Sequence, residues 1–276
     1  MNARITEYWS CPYCKSILEC GEDQKSCFCK GERRHCFDFS KSGYLNLRGS
    51  HTGEGDGKDA VRARRSFLEA GYYQPLSDRV NEILQELNAS SVLDAGCGEG
   101  YYTNRMARGR DVLGIDLSKD GVDLAAKSAK AQSLSASYTV ASLFSLPIRD
   151  ASLDAVTNLF APCAEEEFLR VLKDGGHLIL VGAGERHLLG LKRILYDDPY
   201  LNLGRADLPK RMELLRQESL CKTVTVKGSE HIEALFSMTP YYWRTSASDK
   251  AKLSNLDELT TEIAFDIFLF RKGIGQ

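Results

Sequence analysis

The sequence predicts an α/β fold in two unequal parts: a large domain on a mostly parallel, Rossmann-like sheet with an antiparallel edge, and a small cysteine-rich module ahead of it. Three observations lead there. After Val61 the apolar pattern alternates between helical and strand periods. One strand-like segment runs into the glycine-rich turn Gly96-Cys97-Gly98-Glu99-Gly100. Six of the nine cysteines fall in the first 36 residues. A chain of 276 residues has room for one α/β domain of roughly 200 residues and a small module. The expected division is a module over 1–47, a flexible linker over 48–60 with four glycines and no apolar period, and the large domain over 61–276.

Each element of the large domain follows from its period. Val80, Ile83, Leu84 and Leu87 recur at helical spacing, which predicts a helix over 76–88. Ser91–Ala95 reads as a short buried strand, 101–108 as a helix, Asp111–Leu117 as a strand and 119–133 as a helix. Strands are expected at 137–141, Leu153–Phe160 and His177–Val181, with helices at Glu165–Leu172 and Glu185–Tyr196. Segments 221–227 and 260–270 are predicted to close the sheet, separated by a helix over 229–238. Repeated strand–helix alternation implies parallel strands covered on both faces, with ligands bound beyond the strands' carboxyl ends. The last two strands, joined by one short helix, suit an antiparallel edge.

Bulk properties exclude some roles. Apolar residues make up 43% and charged residues 27%, an ordinary globular balance. Net charge is −2, so no global basic field recruits nucleic acid. Residues 1–65 carry 12 Lys and Arg against 9 Asp and Glu, and the remainder 24 against 29. That mild asymmetry permits an RNA contact near the N-terminus without requiring one. No apolar run approaches the roughly 20 residues of a membrane span, and the first residues carry no apolar leader core, so a cytoplasmic protein without a membrane partner is expected.

The glycine turn distinguishes between cofactors. A dinucleotide site would show G-x-G-x-x-G and present bare N–H groups to a pyrophosphate. Here the glycines are Gly96, Gly98 and Gly100, and Asp94 and Glu99 flank them. Those carboxylates repel phosphate but suit S-adenosylmethionine, with its ammonium and sulfonium cations. Asp116 ends the next strand, where a carboxylate can accept hydrogen bonds from both ribose hydroxyls of an adenosine. A plain strand–turn–helix would explain the glycines alone, but not the two spaced acids.

The cysteines point to a metal. Cys11-Pro12-Tyr13-Cys14 is a C-x-x-C knuckle, and a second pair must come from Cys27, Cys29, His35 and Cys36. Zinc takes four thiolate or imidazole ligands, usually as two local pairs. Cys11, Cys14, Cys29 and His35 would serve, with Cys27 and Cys36 as rivals that spacing alone does not eliminate. No βαβ pattern surrounds Cys11, which argues against a thioredoxin-like redox pair. A closed four-ligand site has a folding role rather than a catalytic one. Lys30, Arg33 and Arg34 beside it can meet phosphates or form a solvated face.

These residues together resemble a known family, the bacterial 23S ribosomal RNA guanine-N1 methyltransferases. The resemblance spans nearly the whole chain. It is carried by Cys11–Cys14 (CPYC), His35–Asp38 (HCFD), Lys41–Leu47 (KSGYLNL), Ala63–Leu76 (ARRSFLEAGYYQPL) and Leu93–Thr103 (LDAGCGEGYYT). Ala161–Cys163, Arg186–Leu188, Met238–Pro240, Trp243 and Arg244 complete it. The resemblance implies a class I methyltransferase fold with a zinc-binding head. It also implies S-adenosylmethionine and Zn2+ as cofactors, an rRNA hairpin as substrate, and a homodimer. Its zinc ligands are three Cys and one His. The third Cys usually stands four residues before the His, where this chain has Gly31, and Cys29 is the nearest fit. The implied cofactor contacts are Tyr73, Glu99 to Thr103 and His187. With the residues read directly, the candidate cofactor set is Tyr73, Asp94, Gly96, Gly98, Glu99, Gly100, Tyr102, Thr103, Asp116 and His187.

Methylation at guanine N1 requires loss of the N1 proton, and His187, at a strand end, is a candidate base; no base is assigned. The target base must leave its stack, which costs least in a hairpin loop. On this reading the head grips RNA backbone, and removing residues 1–47 should spare cofactor binding. A small-molecule methyltransferase with a purely structural zinc head is the alternative. A non-enzymic RNA-binding protein is a third class, disfavoured by the intact set of Asp94, glycines and Asp116.

Overall fold

The computed structural model describes residues 7–21, 25–50, 53 and 55–275. Strands β1 (Leu18–Cys20), β2 (Ser26–Cys29) and β3 (Cys36–Asp38) form a small antiparallel sheet in that order. The chain then gives β4 (Leu45–Asn46) and the helices α1 (Lys58–Glu69) and α2 (Gln74–Glu86). The parallel core follows: β5 (Ser91–Ala95), α3 (Tyr101–Met106), β6 (Asp111–Asp116), α4 (Lys119–Ala131), β7 (Ala136–Val140), β8 (Leu153–Leu159), α5 (Glu165–Val171) and β9 (Leu172–Ala183). It ends with α6 (Leu189–Leu195), β10 (Glu213–Lys227), α7 (Ser229–Ser237), α8 (Ala247–Ala251) and β11 (Glu258–Arg271).

The large sheet has the order β10-β11-β9-β8-β5-β6-β7-β4. Pairings from β9 across to β4 are parallel, and β11 runs antiparallel to both β9 and β10. The strand that runs against the others is therefore β11 alone, second from the edge, while β10 shares the direction of the core. Order reverses at β5, which lies between β6 and β8. The carboxyl ends of these strands open the crevice where such sheets bind ligands.

One apolar layer, including Phe67, Leu76, Ile83 and Phe265, covers one face of the sheet. A second includes Leu93, Leu113, Ile115 and Phe168 together with Trp9, Leu18, Leu45 and Leu47 from the N-terminal segment. The cysteine-rich segment is thus docked on the large domain rather than hung from it. Trp9 is fully buried, its Nε1 donates to Ser137 Oγ at 3.3 Å, and Ser10 N–H donates to Pro147 O at 2.9 Å. β4 adds an edge strand to the large sheet beside β7. Deleting residues 1–47, expected from the sequence to spare cofactor binding, therefore also removes packing from the large domain. Deletion would strip that strand and bare a core in which losing Trp9 alone costs about 3–5 kcal/mol.

Within the connection expected over 48–60, the described residues make specific contacts. Helix α1 starts at Lys58. Ahead of it the backbone lies across the end of β6. A β-carbon on Gly55 would fall 2.3 Å from Ser118 N, and Ser118 Oγ donates to Asp56 O at 2.6 Å. The glycines read as mobility instead permit a close approach. Residues 51, 52 and 54 of that stretch lie outside the described residues.

Candidate active site and metal centre

A cavity of about 1080 Å3 opens at the carboxyl ends of β5, β6, β8 and β9. That lies just above the ~300–1,000 Å3 usual for small-molecule sites. Its floor is the turn after β5. Gly96, Gly98 and Gly100 have φ of +92°, +52° and +82°, the left-handed region glycine adopts without steric cost. Gly96 N–H and Cys97 N–H both donate to Ile115 O, which ties the turn to β6.

Asp94 is buried, and its carboxylate accepts from Thr103 Oγ1 at 2.6 Å and Thr157 Oγ1 at 3.0 Å. Burial raises its pKa to about 6 despite those two hydroxyls. Asp116 accepts from Gly98 N–H at 2.9 Å and Ser118 N–H at 2.7 Å, and burial raises its pKa as well. Burial lifts Glu99 to about 7, partly offset by Arg64. Glu99 Oε2 and the Tyr102 hydroxyl are buried in the cavity wall without a hydrogen-bond partner among the described residues. Unsatisfied buried polar atoms cost about 1–3 kcal/mol each unless a ligand meets them. An acceptor and a phenol so placed, beside two further carboxylates, fit a cationic ligand with hydroxyl and amine donors.

Tyr73 caps α2 ahead of Pro75 and lines the same cavity with His187. The Ala264 N–H donates to His187 Nδ1 at 3.2 Å, which places the ring proton on Nε2, 3.1 Å from the Tyr73 oxygen. Burial lowers the His187 pKa to about 4. With one nitrogen accepting a backbone proton and the other already protonated, the ring has no site for a proton from substrate. So placed, His187 turns its Nε2 to the Tyr73 hydroxyl and its Nδ1 to the Ala264 N–H, an arrangement that weighs against its acting as the base.

Of the remaining candidates, Gly100 and Thr103 stand behind the cavity. Gly100 caps α3 at its N-terminus, with space for a β-carbon blocked by Ala125 at 2.6 Å, and Thr103 reaches the site through Asp94. Tyr102 faces the cavity, while Tyr101 packs under the Arg105 guanidinium. Asp56, Arg64, Phe160, Arg205 and Trp243 also line the cavity; none of them has a site role in the sequence reading, although Arg64 and Trp243 belong to the motifs that carry the resemblance. Arg64 Nη2 lies 2.5 Å from Asp56 Oδ2. Burial pulls its pKa down, but Asp56, Glu99 and Asp116 more than compensate. Arg64 sits inside the ARRSF stretch, about two helical turns beyond Gly57, the last of the linker glycines.

In the head, Cys11, Cys14, Cys29 and His35 present ligand atoms that all lie within 4.8 Å of one another. His35 Nδ1 is 3.5 Å from Cys11 Sγ and 3.3 Å from Cys29 Sγ. Hydrogen bonds from Ser16 help lower Cys14 to about 6, while burial raises Cys11 to about 11. The rivals are engaged elsewhere: Cys27 Sγ lies 2.9 Å from Cys20 Sγ, and Cys36 is exposed beside Asp38. A β-carbon on Gly31 would meet Cys14 Sγ at 2.7 Å, so that position borders the cluster while Cys29 supplies the sulfur from β2. Three thiols and one imidazole in this arrangement fit a tetrahedral zinc ion.

Fold and site together define a class I, S-adenosylmethionine-dependent methyltransferase. Residues 92–176 match a methyltransferase domain family. A protein solved in work on converting a disulfide bond into a thioacetal group during echinomycin biosynthesis shares the fold. Its TM-score is 0.51 at 17% identity, covering 71% of this chain and 82% of that one. Over 93% of this chain and 94% of its own length, the Bacillus subtilis protein YxjB, named for 23S rRNA guanine-N1 methylation, is 30% identical. The 23S rRNA (guanine(748)-N(1))-methyltransferase of Streptomyces fradiae is 28% identical over 97% of this chain and 98% of its own. The chain belongs to the 23S rRNA (guanine-N1)-methyltransferase family.

Proposed function

We propose that this protein methylates N1 of a guanine in a hairpin loop of 23S rRNA. The observation that carries the reading is the acidic crevice: Asp94, Glu99 and Asp116 converge on the turn after β5, and the unpaired Glu99 Oε2 and Tyr102 hydroxyl belong to residues that line it. When bound there, S-adenosylmethionine supplies an electrophilic methyl group. Asp116 would hold the ribose hydroxyls, and Glu99 and Asp94 the cationic part. Tyr73, pinned by His187, covers the bound donor and helps exclude water. With the donor held there, the chain's own residues would bring guanine N1 in line with the methyl group, and the N1 proton would pass to solvent. The chain's main contribution is alignment.

Cys11, Cys14, Cys29 and His35 would hold zinc and so fix the head against β7 and β4. The division 1–47, 48–60 and 61–276 then describes function more than packing. Exposed Lys30, Arg33 and Arg34 on that head would meet RNA phosphates, although Lys30 pairs with Glu19 and Arg34 lies over Phe28 in the free chain. A homodimer belongs to the same reading. It is supported by β10, which ends the sheet with fifteen residues, of which only Val226 is buried. No described helix is long and apolar enough to cross a membrane, and the reading places the protein in the cytoplasm with its substrate. The test is methyl transfer to 23S rRNA from a strain lacking the enzyme, with the product mapped by mass spectrometry. A single N1-methylguanine in a hairpin loop is expected. Transfer to other positions only, or to none, would overturn the reading.

A further inference from the structure

Phe160 is a strained residue at the mouth of the cavity. It follows directly on β8, next to the strand at which sheet order reverses. Its φ is +59°, a left-handed conformation that a bulky L-residue adopts only where its surroundings enforce it. The surroundings do so. Phe160 N–H donates to Val181 O at 3.1 Å. Asn158 Nδ2 donates to Ala95 O at 3.1 Å and to Pro162 O at 3.2 Å. Arg205 Nη2 donates to Asn158 Oδ1 at 3.0 Å and to Ala161 O at 2.5 Å. The turn is pinned from three sides, and it presents an apolar ring that is 46% exposed at the cavity wall.

That ring is fixed and close to the donor site. Fully buried Phe265 supports it at a centroid distance of 5.7 Å and an interplanar angle of 61°, edge to face. The next residue, Ala161, abuts the glycine turn: a β-carbon on Gly96 would fall 2.5 Å from Ala161 Cβ. The cofactor turn and the Phe160 turn are therefore in direct contact. Stability alone would favour glycine or asparagine at this φ and a polar side chain at this exposure. A flat apolar partner is what an exposed, preorganised ring suits, and nucleobases stack on such rings regardless of sequence.

We infer that Phe160 is the platform on which the extruded target guanine stacks, holding it beside the methyl donor. The inference rests on the reading of the protein as a guanine methyltransferase, and its test separates the two. Wild type, Phe160→Asn, Phe160→Leu and Phe160→Tyr are compared on the mapped 23S rRNA hairpin, with donor affinity measured by calorimetry and thermal midpoint by scanning. Asn, which tolerates the left-handed φ, should leave the midpoint within about 2 °C of wild type or raise it. Both Asn and Leu should bind donor within about twofold of wild type and lose roughly ten- to a hundredfold in kcat/KM for the hairpin. Phe160→Tyr should restore most of that loss. Unchanged kcat/KM in Phe160→Leu, or a loss that tracks the thermal midpoint, would overturn the platform while leaving the methyltransferase reading intact. A wild-type protein inactive on the hairpin would overturn both.

Discussion

His187 and Tyr73 act as one unit: the ring Nε2 lies 3.1 Å from the phenol oxygen, and the Ala264 N–H holds the other ring nitrogen. Replacing His187 by Ala strands that buried N–H, a loss of about 1–3 kcal/mol in stability. It also frees Tyr73, so donor affinity should fall. The pH profile of transfer between pH 6 and 9 should keep its shape, because a ring with a pKa of about 4 does not titrate there. Loss of an acidic limb in the variant's profile would show the imidazole to be the base after all.

Donor binding should strengthen as pH rises. The Asp94 and Glu99 pKa values, about 6 and about 7, stand above the ordinary carboxylate range because of burial. Below those values the carboxyls are neutral and the site loses its attraction for a cation; above them it is restored. Calorimetry at pH 5.5 and pH 8 should show Kd improving by roughly tenfold or more, since each unit of pKa change on binding is worth about 1.4 kcal/mol. The same shifts oppose stability of the free protein with rising pH, because the folded carboxyls bind protons more tightly than the unfolded ones. A donor Kd independent of pH across this window would contradict the acidic cradle.

Metal removal should be visible from within. The sequence has two tryptophans, Trp9 fully buried and Trp243 84% exposed. In a Trp243→Phe background, fluorescence reports on Trp9, two residues from Cys11. Wild-type protein should contain one zinc per chain. Chelation, or Cys29→Ser, should red-shift the emission as the head loosens from β7. Cys27→Ser should retain the metal, since its sulfur faces Cys20 instead.

Gly100 admits no side chain. Its φ is +82°, and a β-carbon would sit 2.6 Å from Ala125 Cβ and 2.9 Å from the Tyr138 hydroxyl. Gly100→Ala should destabilise the protein by roughly 2–4 kcal/mol through strain and overpacking, read as a lowered midpoint in urea. Gly109, also at positive φ but with open space around it, should cost about 1–2 kcal/mol on the same substitution.

Much of this was legible in the sequence because it is local. Asp94, the glycine turn and Asp116 are fixed by strand–turn–helix chemistry within two dozen residues, and Cys11 and Cys14 by a knuckle. What escaped depends on contacts between distant segments. The glycines of 48–60 look the same whether they confer mobility or close packing, and only Ser118 decides. Trp9 and Leu45 belong to the large core through partners more than 90 positions away. The helix expected from Glu185 begins at Leu189 because Leu188, at φ +59°, follows the turn that sets His187 against β11. Apolar periodicity carries no mark of that turn. Phe160 read as the end of a strand, since nothing in a strand's pattern announces a left-handed last residue.

Titration of the protein with S-adenosylmethionine, beside Asp116→Ala and with NAD+ as a competing dinucleotide, tests the acidic cradle most directly. One donor per chain is expected for wild type, with at least a tenfold weaker Kd for Asp116→Ala and no displacement by NAD+. Tight NAD+ binding, or donor affinity untouched by loss of the Asp116 carboxylate, would contradict it.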